Sequence, residues 1–190
     1  VNSRSTHTDP VPGKSGFTDR DLTVFSAVIV VLVAWIVYSN SLHNSLTFDD
    51  ITFSPSNRPW ELSLATIKEY FTSDAWAAAG KESGLYRPLF LLSVVAETKV
   101  FGNWYVGYHL VNVLFHSLVA LSLLGLTRYL LLATGGSSRL AHYAALLATL
   151  VYTVHPVHTE VVNSIFNRSS MVVTLGILTG LLWFLPRVEK

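Results

Sequence analysis

The chain has 190 residues, of which 51% are hydrophobic and only 13% charged, well below the charge fraction of an ordinary soluble domain. A formal net charge of +1 leaves no surplus of Lys and Arg for a phosphate backbone, which excludes nucleic acid as a partner. With no cysteine, disulfide frameworks, thiolate metal sites and cysteine nucleophiles are excluded together.

Residues 1–21, rich in Ser, Thr, Pro and Asp, show no apolar period and predict a disordered tail. Residues 22–190 read as one membrane domain. The first charge-free window, Leu22 to Tyr38, is long enough to span about 30 Å of hydrocarbon at about 1.5 Å per residue. Ser39 and Ser41 follow it as small residues follow a secretory segment, but its length and the lack of an A-x-A site favour a retained span. A long loop then runs to Lys99. Within it Trp60, Leu64, Ile67 and Phe71 recur at helical spacing behind Asn57 and Pro59, which predicts a short amphipathic helix on the membrane surface. A second such helix is predicted from Pro88 through Leu89, Phe90, Leu92, Val95 and Val100, with Glu97 and Lys99 turned to water. Trp60, Trp76, Tyr86, Trp104, Tyr105 and Tyr108 stand where an aromatic belt is expected.

Three further charge-free windows follow, Val100 to Thr127, Leu140 to Thr159 and Ser169 to Pro186. The first of these exceeds one span, so Phe101 to Tyr105 are expected to turn at the interface before the helix proper begins near Gly107. The expected fold is all-α: a polytopic membrane protein with four transmembrane helices and amphipathic juxtamembrane helices in its first outer loop. Arg4, Lys14 and Arg20 precede the first span, Arg128 and Arg139 flank the second connection, and Arg187 and Lys190 follow the fourth. The positive-inside rule places those segments, the N-terminus and Ser137 in the cytoplasm. His43, Trp76 and Glu160 then lie on the lumenal or periplasmic side. That side holds eight of the twelve acidic residues: Asp49, Asp50, Glu61, Glu69, Asp74, Glu82, Glu97 and Glu160.

Three clusters carry residues suited to chemistry. Asp49 and Asp50 are adjacent carboxylates that can bind a divalent cation or serve as a general base, although Asp pairs also occur in solvated turns. Arg87 opens a helix whose amides attract anions, or else snorkels. Beyond it His109, Asn112 and His116 share one helical face, as a site or as packing between helices. The third cluster is His155, Pro156, His158 and Glu160, followed by Asn167 and Arg168. Its H-x-x-H-x-E spacing fits no common zinc signature, and Pro156 interrupts any helix through it. A shared cavity in which Glu160 and one His face the Asp pair, with Arg168 adding positive charge, is the more economical reading.

In chain order, "YSNSLHNSLTFDD", "YRPLFLLSVVAE", "GYHLVNVLFHSLVALSLL" and "VYTVHPVHTEVVNSIFNRSSMVV" resemble the start of the transmembrane-and-tetratricopeptide-repeat O-mannosyltransferases, members of the GT-C superfamily. The resemblance implies transfer of a sugar, typically mannose, from a polyprenyl-phosphate carrier to a hydroxyl acceptor, possible protein Ser or Thr included, on the outer face. It implies Asp49 and Asp50 as the catalytic pair and Glu160 as the acidic position of the second outer loop. Arg87, His109, His155, His158 and Arg168 are expected to bind substrate, and Asp49 with Glu160 to hold a divalent cation, Mg or Mn, if one is used. The family's usual G-R-A-D is Asn167-Arg168-Ser169-Ser170 here, so its last Asp has no counterpart. Four spans are fewer than such enzymes need, and the chain is expected to be an N-terminal fragment of a larger protein or a subunit of an assembly. A membrane scaffold subunit, or a small transporter relaying protons through His109 and His116, are the other readings.

Overall fold

In the computed structural model, which describes residues 18–57 and 60–188, the chain is helical, with no strand among those residues. The expected tail up to residue 17, the basic residues Arg4, Lys14 and Lys190, and the helix-opening Pro59 lie outside them. Helix α1 (Asp19–Val37) starts three residues before Leu22 because Thr18 caps it. The Thr18 side chain accepts from the Asp21 N–H at 3.2 Å, and the Asp21 carboxylate accepts from the Thr18 N–H at 3.0 Å. Its buried stripe, Leu22, Ser26, Val30 and Ala34, repeats at the helical period and packs on α5 (Tyr105–Ala133) and α6 (Ser138–Val154).

Between α1 and α5 lie a 3-10 turn (Ser39–His43) and the helices α2 (Asp49–Thr52), α3 (Leu64–Tyr70) and α4 (Pro88–Phe101). After α6 come α7 (His158–Asn163) and α8 (Arg168–Val188). Helix α3 is shorter than the predicted Trp60-to-Phe71 helix. Ser63, not Asn57, caps it, its hydroxyl accepting from the Thr66 N–H at 3.2 Å. Helix α4 opens with Pro88, whose fixed φ suits a first turn. It ends at Gly102, held at a φ of 54° that a side chain would strain, and α5 starts at Tyr105, two residues before the expected Gly107.

Helices α1, α5 and α8 are long and apolar enough to cross a membrane, and the chain reads as a membrane protein. Helix α6 has 17 residues. It stops at Val154, before the proline that cannot extend the ladder, so 155–159 of the third window leave the helix. Helix α5 is the hub, touching α1, α4, α6, α7 and α8. Along α8 only Arg168 and Met171 are buried, while Val173, Ile177, Leu181 and Trp183 are exposed, a surface suited to hydrocarbon rather than water.

The segments around α2, α3, α4 and α7 form a cap on one end of the bundle, with an apolar core of its own. Phe53, Trp60, Tyr70, Phe90 and Phe166 are buried there. Phe53 lies 5.1–5.2 Å from the rings of Phe166, Phe90 and Trp76, and each such pair adds about 0.5–1.5 kcal/mol to simple burial. Two expectations change here. Trp60 and Tyr108 belong to this core rather than to an exposed belt, whereas Tyr86 and Trp104 are exposed. Glu97 is not turned to water but buried beneath the cap, while Lys99 and the supposedly apolar-face Val100 are exposed.

Candidate functional site in the cap

The two adjacent aspartates have opposite environments. Phe48, at a positive φ of 48° that non-glycine residues avoid, turns the chain into the single turn of α2. Asp49 is left exposed and Asp50 is buried. The Asp50 carboxylate accepts from the Ser164 hydroxyl at 3.0 Å, the Ile165 N–H at 3.0 Å and the Phe166 N–H at 2.8 Å. It thereby clamps the loop between α7 and α8, and cannot serve as a base without giving up those bonds.

Asp49 and Glu160 both line a cavity of about 550 Å³, together with Phe48, Thr159, Asn163 and Asn167. The Glu160 carboxylate is exposed and accepts from the Asn167 amide at 3.3 Å. The Asn163 Oδ1 atom is buried without a hydrogen-bond partner. Asn167 follows the third cluster in the sequence, whereas Asn163 is not singled out there; its signal is the i, i+3 spacing from Glu160 along α7.

Arg87 reaches this region from the start of α4. Its guanidinium donates to the Phe166 carbonyl at 3.3 Å and stacks 4.2 Å from the Phe166 ring. Burial lowers its pKa, and the charge of the Asp49 carboxylate opposes that shift. Asp50 acts on Arg87 at one remove, because it fixes the peptide that Arg87 binds. Beside Arg87 an apolar groove of about 150 Å³ runs between α4 and α8, lined by Pro88, Leu89, Val172 and Val173.

The other expected ligands lie elsewhere. Arg168 is fully buried and donates to Asn112 at 2.5 Å, Ser93 at 3.2 Å, the Tyr108 carbonyl at 3.0 Å, and Glu97 in an ion pair. Four of the five guanidinium N–H groups are so engaged, tying α8 to α4 and α5. Burial pushes the Glu97 carboxyl up to about 7 against the pull of Arg168. His109 is fully buried and bonds the Asn44 carbonyl at 3.1 Å, and His116 bonds the Thr153 carbonyl at 3.1 Å. Asn112 donates to the carbonyls of Val162 and Ser164 at 2.9 and 3.0 Å. The polar face of α5 therefore grips backbone in the connections around it. His155 is exposed, its Nδ1 accepting from the Val157 N–H at 3.2 Å. His158 packs 4.2 Å from the Tyr152 ring, and burial, then the neighbouring His155, lowers its pKa.

Two carboxylates and the Asn163 oxygen are a hard donor set, which fits Mg or Mn, ions that need one or two carboxylates and keep several waters. Among the described residues no group of three or more His, Asp or Glu is placed to hold a metal.

No family model matches the chain, and no solved structure matches it. Among curated proteins it is 29% identical to the protein O-mannosyl-transferase TMTC4 of Mus musculus, over 84% of this chain and 23% of that protein. It is 28% identical to the protein O-mannosyl-transferase Tmtc3 of Drosophila melanogaster, over 93% of this chain and 20% of the relative. With TMTC2 of Mus musculus the identity is 31%, over 78% of this chain and 17% of the relative. The chain thus spans about a fifth of the length of these relatives. Their names are those of the family that the four motifs resemble.

Proposed function

Because this chain is a homologue of the protein O-mannosyl-transferases, we propose that it forms part of a membrane glycosyltransferase moving a sugar, mannose by the relatives' names, from a polyprenyl-phosphate donor to a protein hydroxyl. The observation that carries this reading is the single cavity shared by Asp49 and Glu160, two exposed carboxylates from loops more than a hundred residues apart. In it α6 completes four spans, 17 residues being the short end of the range that crosses a bilayer. The N-terminus is cytoplasmic, and the cap faces the lumen or periplasm.

A lipid-linked donor stays in the membrane, so its reaction belongs at a membrane face. The α4–α8 groove suits the polyprenyl tail, and Arg87 at its end suits the phosphate. Asp49 takes the proton of the acceptor hydroxyl as its oxygen bonds the anomeric carbon. The bond from that carbon to the phosphate oxygen breaks, and the electron pair leaves on the polyprenyl phosphate beside Arg87. A single displacement of this kind inverts the anomeric configuration. Phe48, exposed at the cavity rim, offers an apolar face to a sugar ring. A divalent cation between Asp49 and Glu160 would supply positive charge for the departing phosphate.

The test is transfer by the complete protein. Asp49→Asn keeps size and removes charge, and should lower transfer by at least about a hundredfold, the low end for a general base, with donor binding retained. Arg87→Gln should weaken donor binding instead. If Asp49→Asn is active while Glu160→Gln is dead, the base belongs to the second loop; if both are active, the glycosyltransferase reading of this cavity fails.

A further inference from the structure

A second cavity, mostly apolar with polar groups at one end, lies at the end of the bundle far from the cap. It measures about 310 Å³ and is walled by Ala27 of α1 and by Leu121, Leu124 and Gly125 of α5. Thr23, Arg128 and His142 close it on the side nearer the helix ends. These three stand four or five residues inside the ends of α1, α5 and α6, about 6–8 Å along the axes at about 1.5 Å per residue. In a bilayer crossed by α1 and α5, that is the edge of the hydrocarbon, from which an arginine side chain reaches the lipid phosphates, with the apolar wall deeper still.

His142 is buried. Its Nδ1 lies 3.0 Å from the Ser138 carbonyl and so carries the proton. Its Nε2 is then an acceptor, and the Arg128 Nε–H donates to it at 3.1 Å, with the Thr23 hydroxyl 2.8 Å away on the other side. The histidine thus holds the guanidinium by its Nε edge. Neither Nη group of Arg128 has a hydrogen-bond partner among the described residues, and Arg168–Glu97 is the one ion pair among them. Of the carboxylates in the first turn of α1, Asp19 accepts from the Ser138 hydroxyl at 2.7 Å and Asp21 from the Thr18 hydroxyl at 2.7 Å. A half-buried, unpaired guanidinium at the edge of hydrocarbon is costly and calls for an anion. A phosphate accepts two parallel bonds from the Nη pair.

We propose that Arg128, oriented by His142, binds the phosphate of an anionic phospholipid in the leaflet opposite the cap, with an acyl chain against the Ala27, Leu121 and Leu124 wall. The lining favours a lipid over a free anion, because polar groups meet the headgroup level and apolar groups continue below it. The site is separate from the Asp49 cavity and does not depend on the reaction proposed there.

The full-length protein in phosphatidylcholine nanodiscs, with and without phosphatidylglycerol, tests this by native mass spectrometry of retained lipid. Arg128→Gln should retain phosphatidylglycerol about tenfold less well, the loss expected for one charge-assisted pair of bonds. Arg139→Gln, an exposed basic residue at the same end, should retain it as the wild type does. Arg128→Lys keeps the charge that the fold senses and loses the fork, so its retention should lie between the two. Inorganic phosphate should not displace the lipid. Undiminished retention by Arg128→Gln or Arg128→Lys, equal loss in Arg139→Gln, or ready displacement by inorganic phosphate overturns the proposal.

Discussion

The cap cavity and the polar layer beneath it use the same kinds of side chain in opposite ways. Around the cavity, Asp49 and Glu160 are exposed, and Asn163 keeps a free oxygen. One layer down, Arg168, Asn112, His109 and His116 are buried and bonded to backbone or to one another. The difference teaches that a polar residue in an apolar helix is first a structural element. Removing it from water demands a partner, and once partnered it is unavailable to a ligand. The reactive groups are those the fold leaves without such duties, and Asp49 beside Asp50 shows the distinction across one peptide bond.

The comparison breaks most visibly at the Arg168–Glu97 pair. Arg168→Met should destabilise the protein by about 3–5 kcal/mol, because it strands a buried carboxylate, as read from unfolding in detergent. Adding Glu97→Leu should recover most of that loss, since removing both charges together leaves no orphan. Asp50→Ala comes next, at about 2–3 kcal/mol for the unmet Ile165 and Phe166 amides. It should also weaken donor binding, through the loosened contact between Phe166 and Arg87.

A smaller effect should appear with pH. The His158 pKa is lowered from its ordinary 6.5, so the unfolded chain takes up a proton more readily than the folded one. Stability is therefore complete above that value and declines as pH falls below it. His158→Phe keeps an aromatic ring against Tyr152 and should flatten the decline in a thermal unfolding series from about pH 7 to about pH 5. The smallest shift in stability is expected for Asp49→Asn, within about 0.5 kcal/mol as for other exposed positions. That same variant carries the largest expected loss of transfer. An unfolding midpoint displaced as far as that of Asp50→Ala would show Asp49 to be structural and erase the contrast.

Local chemistry determined much of this. Charge-free windows located α1, α5 and α8, Pro88 opened α4, and Pro156 ended α6 before His155, because helix length, capping and proline geometry act over a few neighbouring residues. The acidic character of the cap was equally legible, but of the cavity expected for Glu160, one His, the Asp pair and Arg168, only Asp49 and Glu160 line it. Only the tertiary structure decided which polar groups stayed free. Periodicity turned Glu97 to water, yet Arg168, 71 residues later, draws it inside. Asp50 read as the supporting half of a catalytic pair with Asp49, yet the amides of Ile165 and Phe166, 115 and 116 residues away, claim it. A hydrogen bond needs its donor and acceptor within about 3 Å, and no local pattern records which distant segment will bring the partner.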